Sequence, residues 1–586
     1  MKKNIYRGSF LALSVFLSLS ATSCEDMLAP DSDIITYPED NQINTPNDTL
    51  YSVVGTIHLM QKVADCSRLF GEVRGDLTAL TKDASVDLQE LSNFTVSDKN
   101  VYNKPQDYYA IINNCNYFIE HADSTYKRQG VKVFERDLAA MHSFRAWAYM
   151  QLCYNFGPDG RIPFYTNFLG TQSDAEQVLN GAWTTKEEVF DFLIQDLQQW
   201  AATKSIDYGR IGDYNFSLFA IPARLLLGEL CLWRGRYEEA AQYYHDYVTD
   251  SDRPRPMYVY GYTYSSKKRP EDLVLSPSLT GAQSTSQCCV IPMPSNAFEG
   301  EVSDLYNLYN STSDNYYHYQ LTYSESAYNR YQSQVHCYIY KEGNKKDTIY
   351  MDNYRIEDIP ELNGDLRLYA WTSRSAYHSS IEKYNDMAQS ISTSIVDDRY
   401  VTLYTLPMTY LYFAEALNRA GYPTVAFAIL KYGLCDDNYS KMDSTVVNFK
   451  EFEDAGDLVY FDPVYFYNET LTAAEEAEGY YLASEIKGIH TRGSGDAAAN
   501  KKYVIPDLAT KNDTILWVED KIMEELALET LFQGRRFIDL QRIAIRRDDN
   551  DYLAKAIATR EGQEHEDGDL LSKLKQRSNW YIPFQK

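Results

Sequence analysis

The chain has 586 residues, is 44% hydrophobic and 24% charged, and carries a formal net charge of −27. A chain this long buries a large core without disulfide staples, and its acidity excludes broad contact with nucleic acid or anionic lipid, both of which need a basic face. Its nine cysteines contain no Cys-x-x-Cys spacing, which leaves no zinc or redox motif, while 51 tyrosines supply flat apolar rings with polar tips.

At the N-terminus, Lys2, Lys3 and Arg7 precede an apolar run from Phe10 to Leu19, closed by Ala21-Thr22-Ser23-Cys24. The run is too short to span a bilayer. A charged start, a short apolar stretch, small residues and then Cys is the pattern of a lipoprotein signal peptide, with Ala21 where a lipobox usually has Leu. The expectation is a signal over 1–23, a lipid anchor at Cys24, and a flexible Asp-, Pro-, Ser- and Asn-rich tether over 24–46. Loss of three cations would leave the remaining chain near −30 (−27 − 3). The rest, 47–586, reads as one domain.

Helical pairs are expected over about 108–250, 399–435 and 515–547. The spacing predicts a helix from Phe134 to Tyr154, with Leu138, Met141, Ala148 and Leu152 on one stripe and Gly157-Pro158 ending it. Arg145 falls on that stripe and requires a buried carboxylate. Cys115, Cys153, Cys231 and Cys435 sit in helical patterns, as small buried hydrophobes. From Ala223 to Tyr247, Gly228 lies mid-helix, Gly235 marks a turn and Ala240-Ala241 opens a second helix. Small residues where helices cross, with Gly at the turn, is the tetratricopeptide pattern. Leu411–Leu430 repeats it with Ala414, Gly421 and Ala426, and Ile515–Arg542 with Ala527 and Gly534. Gly235 and Gly421 are 186 residues apart, far beyond the repeat of about 34 residues, so the pairs must gather in space. Between them, about 250–399 is a variable lobe of loops and short strands, with alternating Tyr258, Tyr260, Tyr262 and Tyr264. Asp436–Asn512 is a second irregular stretch.

The run Glu524-Glu525-Leu526-Ala527-Leu528-Glu529-Thr530-Leu531-Phe532-Gln533-Gly534-Arg535-Arg536-Phe537-Ile538-Asp539-Leu540-Gln541-Arg542 resembles the C-terminal signature of the SusD/RagB family of outer-membrane lipoproteins. Phe144–Tyr149 through Phe156-Gly157, Tyr410–Arg419 and the close at Trp580-Tyr581-Ile582-Pro583 are similar to other family segments. Gln533 stands where Glu is usual, and only three residues follow Pro583. The resemblance implies a mainly α, tetratricopeptide-like helical-hairpin scaffold with an irregular loop-rich, short-strand lobe. It also implies a TonB-dependent SusC-like transporter as partner, an oligosaccharide or in some members a peptide as ligand, and a cell-surface location on the outer membrane. Catalysis and cofactors are not implied. Arg536, Asp539 and Arg542 recur at three-residue steps, suited to ion pairs inside a helix stack.

A sugar site needs aromatic platforms with Asp, Asn, Gln or Arg for hydroxyls. The first candidate is Tyr306, Tyr309, Tyr316, Tyr317 and Tyr319 with Asp314 and Asn315. The second is Arg74, Asp76, Asp83 and Asn93, and the third is Trp371 beside Tyr369 and Arg374. Packing within the lobe is the alternative role for each. No metalloprotease, serine-hydrolase or phosphate-loop motif occurs. Glu564, His565, Glu566, Asp567 and Asp569 lack EF-hand spacing and read as a solvated loop rather than a metal site. Alternatives to glycan capture are a peptide- or protein-binding lipoprotein and a surface glycosidase, which needs only two placed carboxylates.

Overall fold

The computed structural model describes residues 46–211, 214–250, 255, 263–264, 275–276, 287–294, 300–310, 318–342, 345–351, 364–368, 372–373, 390–391, 399–435, 439–461 and 486–584. Cys24, the tether, Tyr258, Tyr260, Tyr262, Asp314, Asn315, Tyr316, Tyr317 and Trp371 lie outside the described residues.

The scaffold is helical: α1 (Pro46–Glu72), α2 (Val86–Ser92), α3 (Pro105–His121), α4 (Glu135–Asn155), α5 (Lys186–Gln198), α6 (Ala223–Trp233), α7 (Tyr237–Val248), α8 (Leu406–Arg419), α9 (Pro423–Lys431), α10 (Lys511–Glu529), α11 (Arg536–Arg547) and α12 (Asn550–Ala558). The strands used below form two-stranded antiparallel ladders: β1 (Thr78–Leu80) with β4 (Leu321–Tyr323), and the hairpin β2 (Lys127–Arg128) with β3 (Val131–Lys132). Local chemistry sets several starts. Thr185 and Thr510 close capping boxes with Glu188 and Asp513 at the heads of α5 and α10.

The helical pairs gather as the small-residue pattern requires. Gly228 faces the Tyr244 ring so closely that an added Cβ would lie 2.6 Å from it. Gly235 (φ 71°) and Gly421 (φ 102°) turn the chain between α6 and α7 and between α8 and α9. Helix α7 packs on α8, α10 lies across α8 and α9, and α11 packs on α1. Distant pairs thus share one core, in which hydrophobic residues from Val53 to Ile582 are contiguous. We expect Gly228→Ala to cost about 1–3 kcal/mol by forcing the Tyr244 ring aside, seen as a lower urea midpoint; an unchanged midpoint would refute the crossing contact.

Helix α4 departs from expectation. It is buried from Asp137 to Asn155 on all sides rather than along one stripe, because α1, α3, α5 and α6 surround it. Arg145 has its carboxylate: Nη2 lies 2.8 Å from Asp196 Oδ2, and Nη1 donates to Asn116 Oδ1 at 2.8 Å. Cys115, Cys153 and Cys231 are buried free thiols in helices, whereas Cys435 is buried just past the end of α9. Asp436–Asn512 is not wholly irregular, since Phe449–Ala455 is helical.

The charges of α11 form an ion network through the stack. Arg542 reaches Glu415 of α8 (Nη2–Oε2 2.6 Å) and Asp539 (2.7 Å). Arg546 bridges Glu415 and Glu519, at 2.6 Å each. Arg535 reaches Glu229 of α6 at 2.5 Å, where Tyr154 also donates at 3.0 Å. Arg535, Asp539, Arg542, Glu229, Glu415 and Glu519 are buried and Arg546 is partly so, so each charge depends on its partners. Much of the tyrosine content serves here: Tyr154, Tyr404 and Tyr412 are buried with hydroxyls spent inside this network.

Helices α1 and α3 run antiparallel. Asn114 Nδ2 donates to Thr56 Oγ1 at 2.6 Å, while Cys66 lies near Lys104 and Asp107. The start of α1 therefore lies on the same side as the end of α3 at His121.

Candidate functional site

Two segments singled out in the sequence, 74–93 and 306–331, come together through the β1–β4 ladder, which pairs Thr78 with Tyr323 and Leu80 with Leu321. Further bonds tie them: Ser324 N donates to Leu77 O at 2.9 Å, Thr81 Oγ1 to Tyr319 O at 2.8 Å, and Ser85 N to the Gln320 side chain at 2.8 Å. Ser324 also caps the helix Glu325–Gln332 by accepting from Ala327 N at 3.0 Å.

A cleft of about 220 Å³ opens beside this ladder, lined by Leu80, Ser92, Asn93, Ile557, Ala558, Arg560, Glu561, His565, Asp567 and Leu570. Its floor is apolar, from Leu80, Ile557, Ala558 and Leu570. Its rim is polar, from Asn93, Glu561, His565 and Asp567, all exposed. Arg560 is committed to the wall, donating to Val73 O at 3.2 Å and Ser92 O at 2.9 Å. Asp567 is partly committed, accepting from Leu570 N at 2.9 Å. Across the Arg560–Gly562 turn stands the helix Glu325–Gln332, whose Ser326 N donates to Arg560 O at 2.9 Å. That helix and β4 carry Tyr323 and Tyr328, half-buried and stacked with centroids 6.4 Å apart at 20°. The cleft is smaller than the roughly 300–1,000 Å³ of an enclosing ligand pocket. It suits one ring, or the end of a chain laid along the surface, with hydroxyls facing the rim.

The sequence-predicted residues divide. Asn93 lines the cleft mouth and its carbonyl accepts from Lys573 Nζ at 3.0 Å; Asp83 is exposed; Tyr306 and Tyr319 are half-buried. Arg74, Asp76 and Tyr309 belong to the interior instead. Arg74 is 1% exposed, donates to Phe70 O (2.9 Å) and Trp580 O (3.0 Å), and covers the Phe537 ring at 4.3 Å. Asp76 binds Arg536 (Nη2–Oδ2 2.9 Å) and Arg330 (3.3 Å). Burial pushes the Asp76 carboxyl up, but Arg536 and Arg330 outweigh it and hold it below the ordinary value. Tyr309 is buried against Phe532, centroids 4.9 Å apart. Burial removes all three from any surface site.

Sequence reasoning missed Leu80, Arg560 and Glu561, and did not separate Tyr323 and Tyr328 from neighbouring tyrosines. It read 564–569 as a solvated loop; the segment is exposed, yet His565 and Asp567 also form the cleft rim. No cluster of His, Cys, Asp or Glu among the described residues is arranged to hold a metal.

No family model and no curated protein matches the sequence. Solved structures do. A SusD superfamily protein from Bacteroides thetaiotaomicron is 13% identical, with a TM-score of 0.51 over 86% of this chain and 89% of that one. A SusD homolog from the same species is 12% identical, with a TM-score of 0.51 over 92% and 93%. A candidate sugar-binding protein from Bacteroides vulgatus is 14% identical, with a TM-score of 0.50 over 86% and 88%. At such identities the likeness is one of fold.

Proposed function

We propose that this chain, which carries the SusD fold, is a non-catalytic lipoprotein of the cell surface that captures oligosaccharide and hands it to a TonB-dependent SusC-like transporter in the outer membrane. One observation carries the reading. A fold shared over most of both chains with a candidate sugar-binding protein coincides with a cleft whose apolar floor and polar rim suit a hydroxylated ring, beside the ladder and helix that carry the stacked Tyr323–Tyr328 pair. The chain order completes the proposal: signal 1–23, lipid at Cys24, tether 24–46 and one binding domain from 47 to 586.

Titration calorimetry against a glycan panel tests capture, with chromatography of the same mixtures for new reducing ends. The expected result is binding without product. Tyr323→Ala combined with Tyr328→Ala should weaken the best glycan about tenfold while leaving the melting temperature within a few degrees. New reducing ends would replace capture with hydrolysis; unchanged affinity in the double variant would move the site away from the stacked pair.

A further inference from the structure

The β2–β3 hairpin is a basic projection on an acidic protein. It follows α3 directly and carries Lys127, Arg128 and Lys132 on a protein of net charge −27. Gln129 (φ 53°) and Gly130 (φ 83°) both take positive φ, the two-residue turn that matches strand twist and holds such a hairpin stiff. Every residue from Asp123 to Lys132 is exposed. Lys127 stands directly opposite Lys132 across the ladder, an arrangement that destabilises a hairpin already marginal alone. Lys132 has Glu135 at 3.6 Å; Lys127 and Arg128 have no ion pair among the described residues. Beside the cations are two exposed apolar groups, Val131 at 68% and Tyr126 at 39%. Cations flanked by an aromatic and an aliphatic tip are the composition of a membrane-surface contact.

Position supplies the second argument. The antiparallel α1–α3 packing, fixed by Asn114 on Thr56 and by Cys66 beside Lys104 and Asp107, brings the start of α1 to the end where α3 finishes and the hairpin begins. On the anchoring reading above, the lipid at Cys24 joins the body through the start of α1, on the side where the hairpin begins. The acidic net charge would be repelled by anionic headgroups, whereas the cations of this projection would be attracted to them.

We propose that the β2–β3 hairpin is an electrostatic foot that docks on the phosphate-bearing headgroups of the membrane and sets the orientation of the tethered body. The inference rests on the anchoring reading above for its geometry, but its test does not. The mature chain carrying Cys24→Ala, and so unlipidated, is floated with vesicles of phosphatidylcholine containing about 30% phosphatidylglycerol, or none, at about 50 and 500 mM salt. Binding is expected only to the anionic vesicles and only at low salt. Lys127→Glu, Arg128→Glu and Lys132→Glu together should weaken it about tenfold or more, with an unchanged circular dichroism spectrum because the positions are exposed. Lys127→Gln with Arg128→Gln, which keeps size and polarity, should give a smaller loss. Equal binding to neutral vesicles, retention at high salt, unchanged binding by the charge-reversed chain, or binding to polyglutamate but not to vesicles would each overturn the proposal. Whether Cys24→Ala frees the protein from the cell membrane fraction is scored separately, so failure of the anchor and failure of the foot are distinguishable.

Discussion

Replacing Arg542 with methionine is expected to lower the unfolding free energy by about 3–5 kcal/mol, read as a lower urea midpoint with an unchanged slope. The guanidinium is buried and makes three close contacts, two to Glu415 at 2.6 and 2.9 Å and one to Asp539 at 2.7 Å. Methionine fills the volume but leaves Asp539 without its nearest cation, and Glu415 with Arg546 alone. Transferring a carboxylate from water into that interior is what the lost pairing had offset. The contrast is Lys450→Ala, which breaks a pair with Asp454 whose side chains are 73% and 53% exposed; solvent already screens it, and the urea midpoint should stay essentially where it was. If both variants unfold at the same midpoint, the network contributes no more than a surface pair.

Stability against pH should show two opposed limbs. Burial pushes the Glu415 carboxyl up, but Arg542 and Arg546 outweigh burial and hold it down to about 2; Arg367 and His490 do the same for Glu525, also to about 2. Both therefore contribute stability that is complete above their ordinary value of 4.5 and is lost as pH falls from there toward 2, on the order of 3 kcal/mol each. Glu72 behaves in the opposite sense. Burial raises it from 4.5 to about 7, only partly offset by donors at Gly534 N (2.7 Å), Thr78 Oγ1 (3.1 Å) and Phe532 N (3.2 Å). Its cost is absent below 4.5, grows as pH rises, and is complete above 7. Denaturation midpoints taken from pH 2 to 8 should peak near pH 5 and fall on both sides, more steeply on the acid side. A monotonic rise from pH 2 to 8 would contradict the assignment for Glu72.

Periodicity and small residues located the scaffold because those signals are local. Gly228, Gly235 and Gly421 mark a crossing and two turns that any neighbours would require, and Arg145 on an apolar stripe implied the carboxylate that Asp196 supplies. The spacing of Arg536, Asp539 and Arg542 likewise announced internal ion pairs. The site was less legible because its parts are read only in three dimensions. Asp76 resembles a surface acid until Arg536, 460 residues on, is placed against it. Arg74 looks available until the Trp580 carbonyl is found on it. The rim at His565 and Asp567 comes from a stretch whose composition says only that it is wet. The stacking of Tyr323 on Tyr328 depends on a strand turning into a helix between them, a step that alternation alone does not encode.

The closure of α1 on the C-terminal signature has a temporal consequence. Gly71 lies so near the Gly534 carbonyl that a methyl group would collide with it at 1.8 Å, and Glu72 takes the Gly534 amide across a sequence separation of 462 residues. At about 5–20 residues per second, the first helix waits roughly 20–90 seconds after synthesis for the turn it clasps. Throughout that interval the nascent polypeptide lacks the contact that locks its two ends, so the body can close only once the C-terminal turn has been made.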